Sequence, residues 1–181
     1  MKKVIFLSVI LILMITVIGF AFQNEPDGFR GLKWGDAPTE DMYFIYQIIQ
    51  EGLNKGNIYN KINEKNYIGS VKLYKIQYTF NLRSNQFYKV EANFSDEINY
   101  NILKVIFEDK FDEPTYTSKG KDSYLLSWRG DETYIRIWYN PNQGFTGKGF
   151  GQLTIESIKI HQEDLPEINE QKELDKAKED F

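Results

Sequence analysis

Between residues 74 and 94 the side chains alternate. Tyr74, Ile76, Tyr78 and Phe80 are separated by Lys75, Gln77 and Thr79. After "NLRSN" the pattern resumes, with Tyr88, Val90, Ala92 and Phe94 separated by Lys89, Glu91 and Asn93. Successive side chains of a strand point to opposite faces, so this period predicts a hairpin with one buried face. A short link between two strands also requires them to run antiparallel.

The rest of the chain extends that pattern. "MYFIYQIIQ", 42–50, is dense in aromatic and β-branched residues and reads as a strand, with a helix starting near Pro38 as the competing assignment. "EGLNKGN" supplies a turn and "IYNKIN" a return strand. At 97–111 the period changes to that of a helix. Ile98, Ile102, Val105 and Ile106 are expected on its buried face, widened by Leu103 and Phe107. Ser95 or Asp96 caps its start and Pro114 marks its stop. "SYLLSW" and "TYIRIWY" then form a second hairpin. With Gly130 and Asp131 as its two loop residues, Trp128 stands opposite Thr133, Leu126 opposite Ile135 and Tyr124 faces Ile137. The last strand, "QLTIESIKI", changes phase between Ile155 and Ile158, which predicts a bulge near Glu156 and Ser157. The expected fold is α+β, an antiparallel sheet of about six or seven strands packed on one main helix.

The ends differ from this middle. Lys2 and Lys3 precede an apolar run from Val4 to Phe22, and Gly19 and Ala21 suit a cleavage site after residue 21. Residues 1–21 therefore read as a signal peptide, with an uncleaved anchor helix as the competing reading. Either way the domain, 28–161, is expected outside the cytoplasm, periplasmic or extracellular. Residues 162–181 are charged and form a solvated tail, or a partner-binding helix using Leu174, Ala177 and Phe181.

Charge and residue types narrow the function. Without residues 1–21 the chain keeps 20 basic and 26 acidic residues, a net charge of −6. That balance argues against nucleic acid and against docking on an anionic membrane, leaving membrane contact to an uncleaved N-terminal segment. The chain has no cysteine, so disulfides, thiolate nucleophiles and Cys-ligated metals are excluded. Its single histidine, His161, ends the last strand and reads as a surface residue; no Ser-His-Asp set can be assembled without it, metal hydrolysis wants several His or carboxylates converging, and no cofactor is expected. "GFTGKGFG", 144–151, lacks the spacing of a phosphate loop, and Gly130-Asp131 within "RGD" suits a tight turn. Asp109, Asp112 and Glu113 cluster at the helix end, where acids oppose the helix dipole. They supply the alternative reading, a hydrolase of envelope polymer.

"GFRGLKWGD", 28–36, places Leu32 and Trp34 on one face with Phe29 beside them, and is expected to plug an edge of the core. This segment, with Asp41-Met42, "IGSVKLYKIQYTF", "NQFYKV" and "FDEP", resembles small exported, largely uncharacterised bacterial proteins of the cell envelope. The resemblance spans roughly residues 28–160. It implies an envelope address and an α+β fold, and brings no activity or catalytic residue with it.

One surface stands out. Tyr134, Arg136 and Trp138 alternate with Ile135 and Ile137 and so share the face turned away from the core. An arginine flanked by aromatic rings suits a carboxylate, a sugar or a protein hot spot. These residues make the chain an expected non-catalytic binding protein, its partner an envelope protein or a small polar or sugar ligand.

Overall fold

A computed structural model of the chain describes residues 22–49, 56–144 and 147–163, with side chains to residue 160. The expected signal segment and tail lie outside the described residues.

The elements follow in the order β1 (Gly28–Phe29), β2 (Leu32–Lys33), β3 (Met42–Ile48), β4 (Gly56–Lys61), β5 (Tyr67–Ile68), β6 (Val71–Lys72), β7 (Lys75–Asn81), β8 (Phe87–Phe94), α1 (Glu97–Phe111), β9 (Tyr116–Lys119), β10 (Tyr124–Arg129), β11 (Thr133–Asn140), β12 (Phe150–Ser157) and α2 (Ile158–Glu163). One sheet of eight strands dominates, in the order β3-β4-β7-β8-β12-β11-β10-β9, antiparallel throughout. Two meanders, β3-β4-β7-β8 and β9 to β12, meet at the β8–β12 pair. The chain leaves the centre at β8, crosses one face as α1, and re-enters at the far edge as β9. The fold is therefore α+β, with eight strands in place of six or seven. The strand that sequence periodicity missed is β9, whose "YTSK" carries no apolar alternation.

α1 covers one face of the sheet. Its buried residues are Tyr100, Leu103, Phe107 and Phe111. Ile98 and Val105, expected inside, are 71% and 65% exposed. The helix is turned so that its aromatic stripe meets aromatic strand residues. Phe107 lies 5.9 Å from Trp128, and Tyr100 lies between Tyr124 and Tyr139 at 5.6 and 5.8 Å. Large rings bury more apolar area than Ile or Val, so they set the rotation. Phe80, Val90, Phe94, Ile135, Ile137 and Leu153 complete this core.

Three further expectations are corrected. The β10–β11 register is two residues wider than a Gly-Asp turn allows, with Trp128 opposite Ile135 and Leu126 opposite Ile137. The loop is held open by Glu25, whose carboxylate accepts the backbone N–H groups of Asp131, Glu132 and Thr133. A slip of two keeps every side chain on its face, so the face assignment stands. β12 has no bulge, because its pairing with β11 runs unbroken to Ser157 and the phase change is the start of α2. Tyr74 precedes β7 and is 56% exposed.

The segment 28–36 does plug the core. The Trp34 ring stacks on Phe87 at 4.9 Å, and its Nε1 donates to the Pro26 carbonyl and to Thr133 Oγ1 at 3.0 and 3.1 Å. Leu32 is buried and Phe29 leans on Tyr78. One of the acids at the end of α1, Asp112, has a partner. The Gln23 amide, turned to donate, reaches both Asp112 carboxylate oxygens at 2.8 and 3.1 Å, which offsets the unfavourable dipole.

Candidate functional site

The face away from α1 is polar. The pairings set it in rows across the strands. One row runs Gln77, Glu91, Thr154, Arg136, Ser127, and a parallel row runs Thr79, Lys89, Glu156, Tyr134. Trp138 stands opposite Gln152 and Leu125. Tyr134, Arg136 and Trp138 thus share this face, as the alternation requires, and all three are half-buried. The Trp138 ring meets Phe150 at 5.9 Å.

The charges of this face are unevenly matched. Lys89, only 3% exposed, is paired with Glu91 at 3.2 Å. Arg136 forms no ion pair among the described residues, and its Nε is buried with no hydrogen-bond partner. Three more buried side-chain atoms lack a partner: Asn60 Oδ1, Thr79 Oγ1 and Thr154 Oγ1. All four belong to residues of this face, since Thr79 opposes Ile58 on β4 and Asn60 lies two positions beyond Ile58. A buried polar atom left without a partner costs about 1–3 kcal/mol. The helix-covered side carries no such atom among the described residues.

A second feature lies nearer the β3 edge. β4 and β7 pair from Gly56–Asn81 to Tyr59–Tyr78 and no further. Beyond that point β4 stays with β3, and β7 stays with β8. The sheet is split between them, and a cleft of about 350 Å³ opens there. Tyr43, Asn60, Asn63, Asn66, Tyr74 and Lys75 line it, with Lys61, Glu64 and Ile76. The connection 62–74 leaves β4 at this point and sends Val71 and Leu73 into the core.

Glu64 is already engaged at one wall of the cleft. It pairs with the Arg30 guanidinium and accepts a hydrogen bond of 2.5 Å from the Tyr78 hydroxyl. Burial, and then that carboxylate, push the Tyr78 phenol well above its ordinary range. Lys61 is paired with Asp41 at 3.3 Å. Lys75 has no ion pair among the described residues. Among the described residues no group of three or more His, Asp or Glu stands close enough to hold a metal ion. The acids Asp109, Asp112 and Glu113 lie at the far end of α1 and do not line the cleft.

Sequence periodicity placed Tyr134, Arg136 and Trp138 and missed the cleft. Its signal was the repeated asparagine of "NKINEKN", at 60, 63 and 66, which alone reads as turn chemistry. Among the described residues no helix is long and apolar enough to cross a membrane. Comparison with protein-family models, with curated proteins and with solved structures gives no match.

Proposed function

We propose that this chain is an exported, non-catalytic binding protein of the bacterial cell envelope, and that it holds an acidic partner at Arg136, on the sheet face opposite α1. The observation that carries this reading is Arg136, half-buried on the same face of β11 as Tyr134 and Trp138 and with no carboxylate partner among the described residues. A guanidinium presents a rigid fork of donors that matches a carboxylate, and flanking aromatic rings exclude water from the pair. The export reading rests on the apolar run 4–22 behind Lys2 and Lys3.

The test is a crosslink of the tagged protein in intact cells. The expected result is one dominant crosslinked species. It is lost in Arg136→Ala, weakened in Arg136→Lys, and kept in Arg83→Ala, which alters an exposed arginine of the β7–β8 turn. Equal capture by all four chains would remove this face from the reading.

A further inference from the structure

We infer that the cleft between β4 and β7 is a carbohydrate site, and that it takes a sugar bearing an anionic group. This goes beyond the proposed partner face, because Tyr134, Arg136 and Trp138 do not line the cleft.

The chemistry of the lining supports a sugar. Three side-chain amides, from Asn60, Asn63 and Asn66, each offer both donors and acceptors. Hydroxyl groups of a sugar need that mixture, since each one donates once and accepts twice. Asn60 also holds an unmet acceptor. Its Oδ1 has no partner, and its Nδ2 reaches the Tyr43 hydroxyl only at 3.5 Å, the outer limit of a hydrogen bond.

The aromatic residues support the same ligand. Tyr43 and Tyr74 are 48% and 56% exposed, and neither makes a ring contact among the described residues. Exposed rings with polar tips offer an apolar face to the C–H groups of a sugar and a hydroxyl to its oxygens. Ile76 is the one aliphatic residue of the lining, so the cleft does not suit a lipid. Its volume of about 350 Å³ is at the small end of ligand pockets, the scale of a short glycan segment.

The anionic group follows from the charges. Lys61 is neutralised by Asp41, and Glu64 by Arg30. Among the described residues Lys75, exposed at the start of β7, is left over. Counted over those residues, the cleft carries one uncompensated positive charge in a protein whose overall balance is negative. A uronate, a sialate or a sugar phosphate supplies the counter-charge.

The experiment is a glycan array spanning neutral, amino, carboxylated and phosphorylated sugars, probed with the chain from Phe22 onward. Titration calorimetry then follows with the best-retained glycan. Acidic glycans are expected to be retained over neutral glycans of the same length. Tyr74→Ala is expected to weaken that binding at least tenfold. Lys75→Gln is expected to bring acidic and neutral glycans to the same affinity. Both residues are exposed, so both variants should keep the wild-type unfolding midpoint. Arg136→Ala should leave glycan binding unchanged, which separates this site from the partner face. Retention of no glycan would overturn the inference, and so would a glycan whose binding survives both cleft variants.

Discussion

Arg30 sits at φ 51°, in the left-handed region that a side chain adopts at a cost of order 1 kcal/mol. Its contacts account for that cost. The guanidinium pairs with Glu64 and donates to the carbonyls of Lys65 and Tyr67, the latter at 2.6 Å. Glu64 in turn holds the Tyr78 hydroxyl. One residue of the N-terminal segment thus fixes the wall of the cleft. The apolar role of "GFRGLKWG" was legible from its three apolar side chains, but its arginine was not. The partner lies 34 residues away, and nothing in the local sequence announces it. A second residue-scale consequence concerns the phenols. Burial raises Tyr100 to about 12, helped by Glu108 and Tyr124, and burial also raises Tyr78. An unfolded chain releases these protons near pH 10, whereas the native state keeps them. Above pH 10 the unfolded state therefore binds fewer protons, and stability falls as pH rises. Below pH 10 this contribution is fully present. Urea midpoints at pH 8, 10 and 11 should show a fall only in the last step, shallower in Tyr100→Phe. An identical fall in that variant would assign the effect to other groups.

At the scale of elements, α1 shows what capping chemistry contributes. Asp96 accepts the Asn99 N–H at 2.9 Å through its carboxylate, as an N-cap should, yet its φ is 65°. The two effects oppose each other. Asp96→Ala removes the hydrogen bond and keeps the strain, so it should cost about 1–2 kcal/mol. Asp96→Gly removes both and should cost only a few tenths of a kcal/mol. Urea unfolding of the two variants distinguishes them, and equal costs would mean that the conformation carries no strain. The cap was legible in sequence, because Asp before a helical period is a local signal. The helix rotation was not. It depends on which rings the sheet presents, and Trp128, Tyr124 and Tyr139 lie on strands that come later in the chain. The β10–β11 register has the same explanation. Its faces were legible because a slip of two preserves them, whereas the loop length depends on Glu25, more than a hundred residues upstream. The split between β4 and β7 was hidden for a related reason. "IYNK" and "KIQY" alternate smoothly, and neither stretch marks where their pairing stops.

For the whole molecule, the segment from Phe22 to Pro26 ties the C-terminal end of α1 to the β10–β11 turn. Phe22, 8% exposed, packs edge-on against Phe111 at 5.5 Å. Gln23 binds the Asp112 carboxylate, and Asn24 Nδ2 donates to the Lys110 carbonyl at 3.0 Å, so both serve the C-terminus of α1. Glu25 holds the β10–β11 turn, and a side chain on Gly130 would strike that carboxylate. The Pro26 carbonyl accepts from Trp34 Nε1 and from Thr133 Oγ1, at 3.0 and 2.8 Å. Five consecutive residues therefore tie the helix end, the hairpin turn and the Trp34 plug into one unit. Loss of a buried Phe alone costs about 3–5 kcal/mol, against a total stability of about 5–15 kcal/mol for a domain. A chain beginning at Phe22 keeps all of these contacts and should unfold at the same urea midpoint as the full chain. A chain beginning at Gly28 should lose at least 3 kcal/mol, read as a lower midpoint at unchanged slope. An unchanged midpoint would mean that these contacts contribute nothing. The result bears on the export reading as well. A cut after Ala21 leaves the whole segment in place with Phe22 as the first residue, whereas a cut beyond Pro26 removes it. If the proposed export holds, mass spectrometry of the mature chain should find Phe22 at or near its N-terminus, and a start beyond Pro26 would contradict a cleavage site at Gly19 and Ala21.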